Sequence, residues 1–197
     1  MSDPVMTVCL LSGGIDSTAL AAMLHSRREL AACLFVLYGQ PACGLELKAA
    51  QDWCDANDVE LHTVQTTIPG AQMSGDPGDP CIVPARNLIL GAFGATLAHS
   101  IGATRVALGA NLDDQDDYYD CRPYFAGSLT AALQCADLDV TVWYPFAGLG
   151  KAAILQLAAA HSVDIASTFS CYTPAKGKPC GACASCCERA KALEVPE

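Results

Sequence analysis

Residues Cys9 to Leu20 read CLLSGGIDSTAL. An apolar run meets two glycines, an acid and two hydroxyl residues, and then resumes with helical character. The pattern reads as a strand that stops at Ser12 and a helix that starts near Ile15, with Gly13 and Gly14 at the joint. Paired glycines let the backbone bend sharply and leave no Cβ against a close-approaching ligand. The helix behind them turns free N–H groups and the positive end of its dipole toward the gap. An anion, most often a phosphate, is the usual occupant of such a turn. The plainer alternative is a capped strand-to-helix turn in which Asp16, Ser17 and Thr18 only finish the first turn of helix.

The same alternation continues outward. After a helix over about 17–28 come a strand at 29–39, a helix at 45–58 and a strand at 59–68. A stretch dense in Gly, Pro and Asp, 69–84, reads as a loop. A helix at 85–102, a strand at 103–111, a helix at 122–137, a strand at 140–146 and a helix at 150–163 follow. This order predicts an α/β fold, a parallel sheet covered by helices on both faces. Polar motifs in such folds belong at the carboxyl ends of strands. Ser12 to Thr18, Tyr38 to Gln40, Gly109 to Arg122 and Lys151 all fall there, so one cleft is expected to collect them.

A chain of 197 residues, 52% hydrophobic and 16% charged, suits one globular domain with at most a small appendage. The expected division is 1–165 for the α/β domain and 166–197 for a C-terminal zinc-binding segment. No apolar run reaches membrane-spanning length and the N-terminus lacks a signal-peptide profile, so a cytoplasmic location is expected. The net charge of −10, from 21 acids against 11 bases, disfavours nonspecific nucleic-acid binding. A local nucleotide site built on backbone N–H groups is compatible with that charge.

Five of the twelve cysteines crowd into Cys171 to Cys187. Cys171, Cys180, Cys183 and Cys186 are separated by eight, two and two residues. Overlapping C-x-x-C units with a distant fourth thiolate can close a tetrahedral zinc site of four cysteines. All four positions are then filled by protein, which makes the site structural and leaves Cys187 over. In GANLDDQDDYYDCRPYF, the acids Asp113, Asp114, Asp116, Asp117 and Asp120 interleave with Tyr118, Tyr119, Tyr124 and Phe125, beside Arg122. Aromatic faces with directed carboxylates suit a planar, hydrogen-bond-donating heterocycle; a solvated acidic loop is the alternative. Lys151 opens a helix, where it is either a surface lysine or a phosphate contact.

The glycine turn has no Walker lysine and no G-x-G-x-x-G spacing. It resembles the S-G-G-x-D-S signature of the PP-loop ATP pyrophosphatases, which cleave ATP between its α- and β-phosphates. The whole set of motifs resembles the 7-cyano-7-deazaguanine synthases (QueC-type) of queuosine and archaeosine biosynthesis. The matches are Leu10 to Ser17, Tyr38 to Gln40, Glu46, Val83 to Asn87, Gly109 to Asn111, Tyr118 to Pro123, Lys151, Ser170 to Tyr172, the clustered cysteines and Arg189.

The resemblance implies an adenine nucleotide alpha hydrolase-like, Rossmann-like fold and an ATP-dependent carbon–nitrogen ligase. In it Leu10, Leu11, Ser12, Gly13, Gly14, Ile15, Asp16, Ser17 and Thr18 hold ATP together with Arg86, Asn87 and Lys151, and Asp16 helps hold Mg2+. Tyr38, Gln40, Asp114, Tyr118, Asp120 and Arg122 are expected against the substrate, 7-carboxy-7-deazaguanine, and Asp16, Lys151 and Arg122 are expected to serve catalysis. Either Asp114 or Asp120 would read the base. Ammonia is the second substrate, and a homodimer is implied. The chain departs from the family pattern at Ala85 (usually Gly), at Pro41 and Ala42 (usually a basic pair), and at Asp116, Asp117 and Tyr119 (usually Ser, Gly and Pro). The stretch Pro69 to Pro80 is short. The departures bear on substrate and product more than on ATP or zinc, and they set up the rival reading, an enzyme that joins an activated deazaguanine to another amine. A PP-loop tRNA thiolase and a non-catalytic zinc-stapled module fit less of the pattern.

Overall fold

Thr7–Leu10 forms β1, in which every residue is buried. Only a central strand covered on both faces reads as such an unbroken apolar run. The computed structural model describes residues 5–69 and 83–194. Around β1 stand β2 (Leu30–Leu37), β3 (Leu61–Gln65), β4 (Arg105–Ala107) and β5 (Thr141–Trp143), all parallel, in the order β3-β2-β1-β4-β5. The helices are α1 (Ile15–Ser26), α2 (Cys43–Asn57), α3 (Arg86–Ser100), α4 (Pro123–Cys135), α5 (Lys151–Ala160) and α6 (Ala184–Glu194).

Strand alternation sorts the core into two layers. Cys9, Cys33, Phe35 and Ala107 face α1, α2 and α5, where Leu20, Leu24, Cys54 and Ile154 complete the packing. Val8, Leu10, Leu34, Val36, Val106 and Val142 face α3 and α4, meeting Ala95, Ala98, Leu129 and Leu133. Burial of a side chain such as Phe35 contributes about 1.5–3 kcal/mol. Arg105 ties the amino ends of the strands: its guanidinium donates to Thr7 Oγ1 (2.8 Å) and Glu29 Oε2 (2.6 Å) and lies over the Trp143 ring.

The chain lays β2 and β3 on one side of β1, and α3 then carries it back to β4 on the other. The order therefore reverses between β1 and β4, and a crevice opens outside their carboxyl ends. Both the glycine turn after β1 and the Gly109–Asn111 stretch after β4 border it. The C-terminal residues carry a small cluster of their own, Cys171, Cys183 and Cys186 with Phe169, Tyr172 and Cys180. It is fastened to the sheet layer where the Phe169 N–H donates to Gly13 O (2.8 Å). Arg189 adds bonds to Thr168 Oγ1 (2.8 Å) and to the Ile165 carbonyl.

The elements match the sequence expectation in order and type, with shorter strands. β1 closes at Leu10 rather than Ser12, although the Leu11 N–H still reaches Leu34 O (2.9 Å), and α1 starts at Ile15. Helix α6 has no counterpart among the expected elements. The loop reading of 69–84, with its short stretch Pro69 to Pro80, falls mainly on residues outside the description.

Candidate active site

The two glycines of the turn do different work. Gly13 has φ +77°, and a Cβ there would stand 2.4 Å from the Glu46 carbonyl oxygen, so α2 can approach only a glycine. Gly14 has ordinary dihedrals and borders the cleft. Ser12 and Ser17 lock the loop: their hydroxyls lie 3.0 Å apart, the Ser12 N–H donates to Ser17 Oγ (3.1 Å), and Ser17 Oγ donates to Gly14 O (3.2 Å). Ser12, Gly14, Asp16 and Ser17 line the cavity with Leu10 and Leu11. Gly13, Ile15 and Thr18, expected in the same set, do not line it; Ile15 and Thr18 are buried.

Lys151 lies 135 positions from Asp16 in sequence, yet its Nζ donates to Asp16 Oδ2 at 2.6 Å. Burial works against the lysine charge, and Asp16, Asp114 and Glu188 more than offset it, so the pKa is raised and the ammonium persists. Asp16 Oδ1 is buried without a hydrogen-bond partner. An orphaned carboxylate oxygen beside a phosphate-type loop is a suitable ligand for Mg2+, a hard cation that takes oxygen donors.

The acidic loop separates into distinct jobs. Asn111, wholly buried, accepts at Oδ1 from the N–H groups of Asp113 (2.9 Å) and Asp114 (3.2 Å), which starts a 3-10 turn over Asp113–Gln115. Asp113 caps α5, its Oδ2 accepting from the Lys151 N–H at 2.8 Å. Asp114 lines the cavity, and burial with the nearby Asp16 raises its carboxyl to about 6. Asp116 and Asp117 are exposed. Asp120 accepts from the Asn87 N–H (3.1 Å) and so caps α3, while its carbonyl takes the Tyr144 hydroxyl (3.0 Å).

Two members of the expected substrate set, Asp120 and Arg122, stand outside the cavity lining. Asp120 does not line the cavity because the start of α3 engages its carboxylate. Arg122 does not line it either: its Nε donates to Gln115 O (2.9 Å) and its guanidinium covers the Tyr119 ring at 4.2 Å, pinning the loop from outside.

The remaining candidates converge. Tyr38, Gln40, Arg86, Asn87, Asp114 and Tyr118 border a cavity of about 240 Å³. Gln40 is buried and tied down, its Nε2 donating to Val36 O (3.1 Å) and its Oε1 accepting from the Tyr38 N–H (2.9 Å). Arg86 lies 5.8 Å from the Tyr118 ring centroid; burial opposes its charge, and Tyr38, Tyr172, Cys121 and Asp120 outweigh it. The Asn87 amide meets Asp120 O (3.4 Å) and Cys121 Sγ (3.5 Å), joining α3 to the acidic loop. Burial pushes the Cys121 thiol up to about 12, which keeps it protonated and unsuited as a nucleophile.

Sequence reading missed Ser185 and Glu188, which line the cavity from α6. They stand three apart and so share one helix face. Their position within and directly after the clustered cysteines was the available signal.

The Sγ atoms of Cys171, Cys180, Cys183 and Cys186 all lie within 4.8 Å of one another. Tetrahedral zinc with Zn–S of about 2.3 Å spaces its sulfurs about 3.8 Å apart, so the cluster suits a metal such as zinc. Backbone N–H groups already point at two sulfurs: Cys180 N–H at Cys171 Sγ (3.2 Å), and Cys183 N–H at Cys180 Sγ (3.3 Å). Left-handed Gly177 and Gly181 shape the turns. Cys187 is exposed and donates to Ala182 O (3.7 Å) instead.

Comparison with known proteins agrees with this architecture. The family model for the queuosine biosynthesis protein QueC matches residues 6–73 and 63–196. The 7-cyano-7-deazaguanine synthase of Myxococcus xanthus is 34% identical over 213 residues, covering 95% of this chain and 92% of that protein. The synthase of Frankia casuarinae is also 34% identical, covering 91% and 85%. Among solved structures, NMN synthetase from Francisella tularensis has a TM-score of 0.60 at 15% identity, over 91% of this chain and 71% of its own. The U34-tRNA thiolase NcsA from Methanococcus maripaludis, with its 4Fe–4S cluster, has a TM-score of 0.51 at 17% identity, over 88% and 62%. At such identities the last two speak for the fold alone.

Proposed function

The chain belongs to the QueC family of 7-cyano-7-deazaguanine synthases, and from that premise we propose how its cleft carries out the reaction. The enzyme is an ATP-dependent ligase of that family. The proposal rests on one observation above all: the Asp16–Lys151 pair, joined across 135 positions, stands at a phosphate-type loop inside a cavity that Tyr38, Tyr118 and Tyr172 also line. That arrangement provides for a nucleotide phosphate and a planar base together.

In this reading the β- and γ-phosphates of ATP, the pyrophosphate that leaves, sit on Ser12, Gly14 and Ser17, with Lys151 at their charged oxygens and Asp16 Oδ1 placed to hold Mg2+. Mg2+ held by Asp16 supplies charge neutralisation when bound. The carboxylate of 7-carboxy-7-deazaguanine attacks the α-phosphorus and pyrophosphate leaves, giving an acyl-adenylate. Ammonia displaces AMP to form the amide. A second adenylation at the amide oxygen, followed by loss of AMP and a proton, gives the nitrile. The loop and Lys151 hold the phosphate in line and stabilise its developing charge, which is where most of the rate enhancement in such transfers arises. Tyr38, Gln40, Arg86 and Tyr118 surround the base, Arg86 in place of the ATP contact expected of it, and Asn87 positions the acidic loop.

The finer assignments belong to the same proposal: zinc at the four cysteines, a homodimer, a cytoplasmic location and a division at residue 165 between the ATP domain and the metal-binding segment. Among the described residues, no helix is long and apolar enough to cross a membrane. Of the departures from the family pattern, Ala85, Asp116, Asp117 and Tyr119 do not line the cavity, whereas Pro41 and Ala42 do.

The test follows the nucleotide. With 7-carboxy-7-deazaguanine present, ATP should yield AMP and pyrophosphate, and Asp16→Ala should abolish that conversion in a folded protein. ADP as the product would contradict the reading.

A further inference from the structure

Four carboxylates line the cavity: Asp16, Glu46, Asp114 and Glu188. Three belong to the Lys151 end. Asp16 bonds the ammonium, and Asp114 and Glu188 act on it through space. Glu46 is different. It stands in the first turn of α2 and lines the cavity with Gln40 and Arg86, whose side chains act on its carboxyl. Gln40 cannot turn away, since both ends of its amide are held by the backbone at Tyr38 and Val36. Burial pushes the Glu46 carboxyl up to about 7 in spite of Gln40 and Arg86. A carboxylate so placed still wants donors.

We propose that Glu46 and Arg86 together read the hydrogen-bonding edge of the deazaguanine base, with Glu46 accepting from the ring N–H and the exocyclic amine and Arg86 donating to the neighbouring carbonyl. This rests on the deazaguanine reading above. A guanine-type edge presents two adjacent donors and then an acceptor, which is the complement of a carboxylate beside a guanidinium. Adenine presents one donor and one ring acceptor, so it would leave one Glu46 oxygen without a partner and give Arg86 no carbonyl. Tyr38, Tyr118 and Tyr172 also line the cavity, the Tyr118 ring centroid 5.8 Å from the Arg86 guanidinium, and supply faces for the base. The C7 carboxyl of the substrate lies beyond the carbonyl, away from the ring N–H and amine. A base read this way turns its carboxyl away from the like charge of Glu46, leaving it free to meet the α-phosphate. Asp114, beside Asp16 and Lys151, then belongs to the phosphate end.

Glu46→Gln keeps the shape and removes one acceptor. Titration calorimetry on the full chain would use three probes in turn: 7-carboxy-7-deazaguanine, its analogue lacking the exocyclic amine, and ATP without base. The variant should bind the deazaguanine roughly a hundredfold more weakly, the scale on which a site that loses a paired polar contact discriminates. Its ATP affinity should be unchanged, and the wild-type preference for the amine-bearing base should vanish. Arg86→Lys is the second variant; losing the planar fork should weaken base binding tenfold or more and leave ATP alone. Weakened ATP with unaltered base binding would overturn the proposal and move Glu46 to adenine. Equal binding of all probes by wild type and variants would overturn it as well. A wild-type protein that binds ATP but no deazaguanine would instead overturn the reading on which the proposal rests.

Discussion

Ala85 holds φ at +54° immediately before α3, a conformation in which its methyl crowds the backbone. Left-handed dihedrals cost an L-residue about 1–2 kcal/mol relative to the right-handed region, and glycine escapes most of that. The residue is exposed and does not line the cavity, so the family's usual glycine answers to the backbone rather than to a ligand. Ala85→Gly should therefore raise the melting temperature by roughly 2–4 °C, the response of a chain this size to about 1 kcal/mol, with AMP formation intact. A lower melting temperature would show that the turn is not strained. The sequence displayed the substitution but carried no dihedral, so the cause was illegible. The five acids of 113–120 were illegible in the same way. One spacing serves a helix cap (Asp113), a cavity wall (Asp114), solvent (Asp116, Asp117) and a second cap (Asp120), and only tertiary neighbours tell these apart.

At the level of elements, periodicity carried far. Alternating strands and helices were readable because apolar runs such as Thr7–Leu10 and Leu30–Leu37 have no other way to be buried. Helix α6 escaped because Ala184–Glu194 (ASCCERAKALE) has Leu193 as its only large aliphatic residue and little apolar face to announce it. Its anchors are Cys183 and Cys186 just before and within it, and its face carries Ser185 and Glu188 into the cavity. Metal loss should then have a double effect. Serine at Cys171, Cys180, Cys183 or Cys186 should release the ion and lower the melting temperature sharply, since structural zinc sites contribute on the order of 10 kcal/mol. The same variants should bind base and ATP more weakly, because a wall of the cleft goes with the ion. Cys187→Ser should keep both metal and stability. Metal analysis beside thermal melts checks this, and a Cys187→Ser protein without metal would mean a different fourth ligand.

The whole molecule brings together residues that the chain keeps far apart. Sheet order places β4 beside β1, so the loop after residue 10 and the loop after residue 107 face one crevice, and α5 delivers Lys151 to Asp16. Reading polar motifs at strand ends was enough to predict one cleft, since parallel sheets put all such ends on one side. It was not enough to predict which motif residues point in: Arg122 and Asp120 brace the loop that presents Asp114 and Tyr118. Most departures from the family pattern lie away from the cavity, but Pro41 and Ala42 border it, where the family usually has a basic pair. The chemistry of the final product is therefore the point at which the account is most exposed. The direct measurement is mass spectrometry of the base after incubation with 7-carboxy-7-deazaguanine, ATP and ammonium. The account predicts the nitrile, with ATP converted to AMP at each of the two activations. A base that stops at the adenylate or the amide, or that appears attached to a protein or nucleic acid, would contradict it.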